Sequence, residues 1–506
     1  MKPNRALKPV EKAPYQKLCN FLKRPAARNG QKGFTVSDIC AATALPLSLV
    51  KELIPRAADE FSAQLKVTES GEIIYSFPHG FISRYHGFGV RLAVFFTGFI
   101  RALRLISSFI FKVWIMVMLI GYFVVFIAIA LGSVFISMSG NSKNSSRRGG
   151  SIFGQGLFSM IWRLWFYSEL THSMTRRNSR WLPGQEARQA AAPPRPMHKA
   201  VFSFVFGDDN PDKEPDTGWK KAALAYIQSH KGLISMPEFM AISGKNTVDA
   251  ESGLLAFCVE YGGSPEATDD GTIVYRFDEL LLRANTQDRS FSELSPPING
   301  LKSFSKNSKT MNVWFGIINA VNLIFGSYYL GNALQTGAII FTDESKLNSL
   351  YKFTYWLFTI FSANPLPLIG IALGLVPLIF SLLFWLIPAL RFYFLRSDNE
   401  NTRLKNLRRL GYRHIWNSPT SVKETDIQSR IDECRPKKIK SAQRQIIKEM
   451  GAYSIPDLAI DENGVTLYAF NELEREKQAL EKCRSSVSYE SSSLGGIVFD
   501  TGAGGK

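Results

Sequence analysis

Three long apolar stretches constrain this chain more than any other feature of its sequence. The first, residues 113–137, reads VWIMVMLIGYFVVFIAIALGSVFIS and contains no charged residue. The second covers residues 311–334 and the third residues 366–395. A helix of about 20 apolar residues crosses the hydrocarbon core of a bilayer, which is roughly 30 Å thick. We therefore predict an integral membrane protein with three transmembrane helices. The lipid bilayer is then one of its partners.

Two further apolar segments leave the number of crossings open. A basic amphipathic helix is expected to lead into the first span within residues 86–140, because Arg91, Arg101 and Arg104 alternate there with aromatic and aliphatic residues. The segment 151–170 is apolar but contains Arg163, and it either crosses or dips into the membrane. Residues 350–364 are too few for a span, so we expect a short re-entrant or interfacial helix.

Small and amide side chains form a stripe along the second and third spans. In a membrane helix such a stripe is typical of a helix-packing seam, because small residues let two backbones approach closely. A polar path through the membrane is the alternative. The stripe contains no acid or base, which favours the seam. Its members are Asn312, Gly316, Asn319, Asn322 and Gly326 in the second span, and Gly370 and Gly374 in the third.

A short pattern, Gly-x-x-aliphatic-Tyr-x-Phe or a close variant, occurs three times outside the spans. It reads GEIIYSF at residues 71–77, GTIVYRF at 271–277 and GVTLYAF at 464–470. Residues two apart on a strand share one face, so the tyrosine and phenylalanine should pack together against a core. An exposed aromatic recognition strip is the alternative. The repeat-strand residues are Gly71, Tyr75, Phe77, Gly271, Tyr275, Phe277, Gly464, Tyr468 and Phe470.

The sequence before each copy predicts the same order of elements. Ser37 and Asp38, like Pro237 and Glu238, suit the start of a helix, and the ESGE and DDGT stretches suit hairpin turns. The order helix, strand, helix, helix, hairpin is that of a winged helix, and the third copy is shorter and degenerate. The predicted fold class is an α+β multidomain membrane protein, with transmembrane α-helices plus two or three winged-helix-like domains.

The expected domain boundaries follow from these segments. They are a winged-helix-like domain 1 at 1–85; the amphipathic helix and first transmembrane helix at 86–140; a linker with a short membrane-dipping or interfacial segment at 141–197; a winged-helix-like domain 2 at 198–290; transmembrane helix 2 at 311–334; the short helix at 350–364; transmembrane helix 3 at 366–395; a basic tail with the degenerate third unit at 396–484; and a disordered tail at 485–506.

The distribution of charge along the chain distinguishes between nucleic acid, anionic lipid and protein as possible partners. The chain carries a net charge of +17 and has a pI near 9.5, which suits nucleic acid, anionic lipid or a cytoplasm-facing membrane protein. Residues 1–70 contain 12 basic and 6 acidic residues, but residues 208–283 contain 7 basic and 14 acidic ones. An acidic second domain would repel phosphates. We expect a protein partner of unknown identity and no nucleic acid.

Basic residues near the spans predict the orientation. A cluster that begins at Arg391 follows the third span, and Lys302, Lys306 and Lys309 precede the second, whereas the loop between these spans has few basic residues. Positively charged flanks stay on the cytoplasmic side. The soluble domains should therefore be mainly cytoplasmic, while the orientation of the first span stays open because basic residues lie on both sides of it. The start, MKPNRALKPVEKAPYQK, lacks the long Ser- and Arg-rich character of an organelle transit peptide, so we expect a bacterial inner membrane.

No catalytic or cofactor motif is apparent in the sequence. The five cysteines are widely spaced and form no C-x-x-C, and no histidine stands at metal-ligand spacing from another ligand residue. Asp208, Asp209, Asn210 and Asp212 form an acidic turn, but the glycine and glutamate of a calcium loop are missing from it. Catalytic, cofactor and metal sites are all predicted to be absent, and no enzyme is expected.

Several phrases resemble a known family. AVFSFVFGDDNPD, the GLISMPEF unit with its Tyr-x-Phe strand, LIPALRFYFLR and NENTRLKNLRR are similar to sequences of poorly characterised integral membrane proteins of cyanobacteria and chloroplasts. The resemblance spans about residues 30–415. It implies a membrane location and no particular reaction.

Three function classes remain open at this stage. The first is a membrane-anchored scaffold or assembly factor that binds protein partners through its repeated modules. The second is a membrane-tethered DNA-binding transcriptional regulator, which needs a basic recognition helix. The third is a small transporter or channel subunit, which needs ionisable groups inside the spans.

Overall fold

The computed structural model of the chain contains two compact units. The hairpin unit comprises residues 1–93, 211–301 and 397–506, and the apolar unit comprises residues 94–210 and 302–396. The structure describes residues 9–23, 33–78, 80–81, 88–139, 195–208, 215–284, 294–340, 348–462, 464–487 and 494–502. The segment 151–170 and most of the linker 141–197 lie outside the described residues.

Helices dominate the described part of the chain, and the strands are short. The helices are α1 (Pro9–Leu22), α2 (Val36–Thr43), α3 (Leu47–Glu60), α4 (Phe88–Ser139), α5 (Met197–Phe206), α6 (Pro215–Ser229), α7 (Met236–Ser243), α8 (Thr247–Tyr261), α9 (Lys309–Ile340), α10 (Ser349–Thr359), α11 (Pro365–Asn417), α12 (Ile439–Gly451) and α13 (Asn471–Ser486). The strands are β1 (Gln64–Thr68), β2 (Ile73–Ser76), β3 (Leu233–Ile234), β4 (Ser264–Ala267), β5 (Ile273–Arg276), β6 (Asp457–Ile460), β7 (Thr466–Ala469) and β8 (Ile497–Asp500).

Three stretches of the hairpin unit repeat one order of elements. The first runs α1, a bridging residue Phe34, α2, α3 and the hairpin β1–β2. The second runs α6, β3, α7, α8 and the hairpin β4–β5. The third starts with the end of α11, continues through a bridging Val422 and two 3₁₀ turns, and ends with α12 and the hairpin β6–β7. The third copy thus has 3₁₀ turns where the others have a short second helix, α2 or α7.

Local sequence explains why the short helices α2 and α7 of the first two copies begin where they do. Thr35 and Asp38 at the start of α2, and Ser235 and Glu238 at the start of α7, each form a reciprocal capping box. Each box satisfies two backbone N–H groups that have no partner inside the helix. The turn before each helix is therefore fixed by side chains of the helix itself.

The three stretches share one hydrophobic core. A single cluster of buried apolar residues contains Leu18 and Ile54 of the first stretch, Phe277 of the second, and Ile446 and Phe470 of the third. Because each copy buries its apolar face against the others, the stretches form one folding unit although they lie far apart in the sequence.

The C-terminal residues differ from the disordered tail expected for 485–506. β8 pairs antiparallel with β1 and extends the first hairpin to three strands in the order β2–β1–β8. Its sequence, IVFD, is rich in residues that favour strands. The polar and glycine-rich composition around this short run had concealed it.

In the apolar unit, three helices are long and apolar enough to cross a membrane. The candidate spans are Gly98–Phe135 in α4, Lys309–Gln335 in α9 and Pro365–Asn417, which is α11. The predicted amphipathic helix and first span are one continuous helix, α4. The segment predicted as re-entrant or interfacial forms α10, with 11 residues.

α5 belongs to the apolar unit, whereas the sequence placed this segment at the start of the second domain. Ala200, Val201, Phe204 and Val205 are buried in one cluster with residues of α4, α9 and α11. The apolar face of a helix of only 10 residues must be covered, and the long apolar helices cover it.

The backbone of α11 changes its winding before Pro377. Residues Ile369–Leu375 form a π-helical segment, and α-helix resumes at Val376. Pro377 has no N–H to donate to the carbonyl of Leu373. The backbone hydrogen-bond pattern of α11 must therefore change in the residues just before Pro377. The π-helical segment is the form that this adjustment takes near Pro377.

The small residues of the predicted seam lie where α9 and α11 meet. A Cβ added to Gly374 would lie 2.8 Å from the backbone N of Leu330, and one added to Gly326 would lie 3.1 Å from the backbone N of Leu378. Gly370 similarly faces Ala333, at 3.1 Å. These helices approach so closely that a side chain would separate their backbones.

The amide side chains of the stripe bond to neighbouring backbones. Asn319 Nδ2 donates to the carbonyl of Ser381 at 3.0 Å, and Asn322 Nδ2 donates to the carbonyl of Leu119 in α4 at 2.7 Å. Both side chains are fully buried. Of the remaining two stripe members, Gly316 faces the Trp385 ring, and Asn312 Oδ1 accepts from Asn307 Nδ2 within the same region of the chain.

A matched pair of glycine substitutions tests this contact. Gly374→Ala should destabilise the packing of α9 on α11 by roughly 1–3 kcal/mol, because the new methyl group meets a backbone atom. Gly331→Ala on α9 is the control, since an added Cβ there has nothing within 4 Å. The measurement is the thermal midpoint of the full chain in detergent. Equal midpoints for the two variants would contradict the seam.

Candidate functional site

The glycine of each repeat lies at the turn of its hairpin. Gly71, Gly271 and Gly464 have φ angles of +81°, +79° and +72°. An added Cβ would have nothing within 4 Å at any of the three. The glycine is therefore required by the left-handed backbone of the turn and not by crowding.

The tyrosine of each repeat lies at the centre of its small sheet. On the outer side the pairs are Leu65–Tyr75, Pro265–Tyr275 and Leu458–Tyr468. On the inner side they are Phe34–Tyr75, Ile234–Tyr275 and Val422–Tyr468. The three hairpins therefore have the same register, and Leu65, Pro265 and Leu458 occupy equivalent positions.

The aromatic residues of the repeats face the core. Phe277 and Phe470 are fully buried and Tyr75 is 5% exposed, while Phe77, Tyr275 and Tyr468 are half-buried. The Phe277 ring meets the Phe257 ring edge-on, at 5.7 Å between centroids. This arrangement is packing, and none of the six side chains forms an exposed recognition strip.

In the second copy, the helix that precedes the hairpin, α8, has an exposed apolar face. Val248, Leu255 and Val259 of α8 are 77%, 50% and 86% exposed. They are spaced by seven and four residues and so share one helical face. α8 contains three acidic residues and no lysine or arginine. We call Val248, Leu255 and Val259 the α8 stripe.

The corresponding helix of the first copy has neutralised cations. Lys51 Nζ lies 2.6 Å from Glu279 Oε2, and Arg56 Nη2 lies 2.7 Å from Glu52 Oε1. In the third copy the corresponding helix, α12, carries three cations, of which Arg444 pairs with Glu424, at 3.2 Å between Nε and Oε2. Lys440, Arg444 and Lys448 follow at intervals of four residues along its exposed face.

Two of the arginines that follow the third span have partners inside the hairpin unit. The guanidinium of Arg409 is 2% exposed and donates to the carbonyls of Ser243 and Pro297. Arg408 forms an ion pair with Glu449. These cations therefore stabilise the fold in addition to any effect they have on orientation.

A buried ion pair fixes the last helix to the second copy. Glu238 is fully buried, and its Oε2 lies 2.8 Å from Arg484 Nη2 of α13. Tyr226 donates to the other carboxylate oxygen at 2.6 Å. Because Arg484 also donates to the Leu233 carbonyl, both charges have additional hydrogen bonds, as a buried pair requires.

A second buried carboxylate lies nearby on α13. Glu476 is 8% exposed and accepts hydrogen bonds of 3.1 Å from the Tyr453 hydroxyl. Burial raises the pKa of Glu476 to about 7, the Tyr453 hydroxyl opposes this rise, and the negative charge of Glu238 adds to it. Glu476 therefore titrates near neutral pH inside the hairpin unit.

No group of ligand residues suited to a metal ion occurs among the described residues. In the acidic turn, Asp208 accepts hydrogen bonds from Arg195, Ser203 and the backbone N of Lys306. Asp209, Asn210 and Asp212 lie outside the described residues. Asp208 therefore acts as a local structural acceptor.

Sequence reasoning missed two of these features for different reasons. The α8 stripe could have been found in the sequence, because α8 carries apolar residues on two faces and only one of these can face the core of its own unit. The Glu238–Arg484 pair could not, since its partners lie 246 residues apart.

Phe277→Ala should lower the stability of the hairpin unit by roughly 3–5 kcal/mol, because it leaves a cavity in a fully buried site. Ile273→Ala in β5, the strand that ends just before Phe277, is the control, since Ile273 is 55% exposed. It should change stability by about 1 kcal/mol or less. Denaturant unfolding of the full chain in detergent measures both. Comparable losses would show that Phe277 is not a core residue.

The raised pKa of Glu476 predicts a pH dependence with a definite sign. The folded chain binds this proton more tightly than the unfolded chain, in which the pKa is near 4.5, so stability falls as pH rises from about 4.5 to about 7. The loss should be on the order of 3 kcal/mol. Glu476→Gln should flatten the thermal midpoint over this range. Glu472→Gln, at an exposed position, should leave the slope intact, and a slope unchanged in both variants would contradict the assignment.

Comparison with known proteins gives a distant relative. The chain is 22% identical over 460 residues to an uncharacterised chloroplastic protein of Arabidopsis thaliana, which covers 88% of this chain and 80% of that protein. No protein-family model matches the chain, and no solved structure matches it significantly. The relative gives no support to the bacterial inner membrane expected from the sequence.

Proposed function

We propose that this protein is a membrane-anchored scaffold or assembly factor. In this proposal the three repeated stretches are winged-helix-like modules that bind a protein partner, and the long apolar helices hold them at a membrane. The proposal is for a binding protein and not for an enzyme.

The order of elements supports the winged-helix part of the proposal. Each copy has a helix, a short strand or bridging residue, two or three further helical elements and a hairpin. The central tyrosine of the hairpin pairs with both neighbouring segments. In such a module the helix before the hairpin is the usual contact surface with a ligand. The corresponding helices here are α3, α8 and α12.

The α8 stripe is the observation that carries the choice of a protein partner. Three large apolar side chains on one exposed helical face are typical of a protein-binding surface. The stripe is flanked by the carboxylates of Asp249, Glu251 and Glu260, which would repel the phosphates of nucleic acid. The paired cations of α3 make the first module equally unsuited to phosphate.

The membrane location rests on the three apolar helices. A cytoplasmic orientation of the modules is supported by the basic flanks of the second and third spans. The chloroplastic relative favours a membrane of chloroplast or cyanobacterial type over a general bacterial inner membrane.

A second candidate function is favoured by α12. Its row of Lys440, Arg444 and Lys448 would supply the basic face that a membrane-tethered DNA-binding regulator needs, with Arg444 paired to Glu424. A transporter or channel subunit has less support, because the buried amides of the apolar unit donate to opposing backbones and thereby hold helices together.

Crosslinking in the native membrane tests the proposal. The tagged full chain is crosslinked mildly, treated with nuclease, purified and analysed by mass spectrometry beside a Leu255→Glu, Val259→Glu variant. We expect the variant to lose one or more co-purifying proteins by at least about tenfold, because two charges at a hydrophobic contact centre each weaken binding by more than 1 kcal/mol.

Two control variants separate the candidates. Ile431→Glu changes another exposed aliphatic residue of the same unit and should retain the partner. Lys440→Glu with Lys448→Glu removes the basic row of α12. A parallel sample of each variant is purified without nuclease. If the second variant alone loses co-purifying nucleic acid there, and protein recovery does not change in either variant, the regulator replaces the scaffold.

A further inference from the structure

The outer edges of the three hairpins have different occupants although their registers are equivalent. Here the outer edge is the side of β1, β4 or β6 that faces away from its own hairpin. In the first hairpin this edge holds β8, in the second it carries a proline, and in the third no described strand pairs with it. These three states indicate what the third edge can bind.

Backbone geometry directs the hydrogen-bonding groups of Leu65 and Leu458 outward. Tyr75 exchanges both of its backbone hydrogen bonds with Phe34, and Tyr468 does the same with Val422. In an antiparallel ladder, a residue opposite such a tyrosine therefore points its N–H and C=O to the far side. For Leu65 this is where the tail bonds, because Leu65 N donates to Thr501 Oγ1 at 2.8 Å and Leu65 O accepts from Thr501 N at 3.0 Å.

The second hairpin has lost this donor. Pro265 occupies the position of Leu65 and has no backbone N–H. Proline on an outer strand is a usual protection against pairing with another chain. The third hairpin has Leu458 at this position and keeps the donor.

The edge of β6 is also apolar. Leu458 and Ile460 are 70% and 77% exposed, and Ile455, just before the strand, is 82% exposed. An unpaired strand edge with large exposed aliphatic side chains is a template for an added strand. The first hairpin demonstrates that this register accepts one.

The charged residues of β6 favour an added strand that differs in charge from β8, the C-terminal strand that pairs with β1. On β1, Lys66 pairs with Asp500 of the tail at 3.2 Å. The equivalent of Lys66 is Ala459, which shares its strand face with Asp457 and Asp461. Asp457 accepts from Asn471, and Asp461 pairs with Lys423. A carboxylate opposite Ala459 would lie between two others, whereas a lysine or arginine there would be attracted chiefly to Asp457, since Asp461 already pairs with Lys423.

We propose that the outer edge of β6 binds an extended segment of a partner protein, with a short aliphatic or aromatic run and a basic residue opposite Ala459. The segment adds as an antiparallel strand next to Leu458 and Ile460. This deepens the proposed scaffold function, on which it rests for the identity of the partner but not for the binding event.

Peptide binding to the full chain in detergent tests the site directly. The probes are the fluorescent tail peptide LGGIVFDTG, corresponding to residues 494–502, and its Asp500→Lys version. We expect the lysine peptide to bind about fivefold more tightly than the tail peptide, as measured by anisotropy, because a favourable cross-strand charge pair replaces an unfavourable one. No binding by either peptide, or equal binding by both, would overturn the proposal.

Two variants locate the binding on β6. Leu458→Pro copies the residue that the second hairpin already accommodates, and it should abolish binding of the lysine peptide with little change in thermal midpoint. Ala459→Lys copies β1 and should reverse the preference toward the tail peptide, which a mere loss of folding cannot do. Lysine-peptide binding that survives Leu458→Pro, or a preference unchanged by Ala459→Lys, would contradict the site.

Failure of this proposal is distinguishable from failure of the scaffold. The scaffold test concerns α8, and Leu255→Glu with Val259→Glu should not change peptide binding at β6. Retention of the crosslinked partner by this variant would overturn the scaffold test while peptide binding at β6 stands, and absence of peptide binding in the unchanged chain would overturn the β6 site while the crosslinked partner stands.

Discussion

Burial of the repeat aromatics in one shared core is the interaction on which the hairpin unit depends. Phe277 and Phe470 come from copies nearly two hundred residues apart, yet they belong to one cluster with Leu18 and Ile54 of the first copy. A stretch of this size alone buries too little apolar surface for robust stability. Joining three copies yields one larger core and leaves the outer hairpin edges and helix faces available.

The apolar unit uses a different principle. In lipid there is little hydrophobic gain from bringing apolar helices together, so close backbone approach and hydrogen bonds determine the contact. Gly326, Gly370 and Gly374 provide the approach, and Asn319 and Asn322 provide bonds to the backbones of α11 and α4. The two units thus differ in what holds them together, one by close backbone contact between helices that are long and apolar enough to cross a membrane and the other by a shared aromatic core.

Much of this organisation could be predicted from sequence, because it rests on local patterns. Charge-free runs of 18 residues or more indicate spans, and the spacing of Asn319, Asn322 and Gly326 indicates one helical face. The Gly-x-x-x-Tyr-x-Phe pattern indicates strand alternation and a turn. Long-range features could not be predicted in this way. The pairing of β8 with β1 and of Arg484 with Glu238 depends on which distant segments meet, and the assignment of α5 depends on which apolar surface covers it.

Photocrosslinking from a single position tests the central claim most directly. A benzophenone amino acid is placed at Val259 on the α8 stripe, or at Glu472 as an exposed control, and the full chain is irradiated in its native membrane and treated with nuclease. The account predicts a discrete adduct with another polypeptide from Val259 and none from Glu472. Adducts with lipid or nucleic acid only, or the same adducts from both positions, would contradict a protein-binding role for this surface.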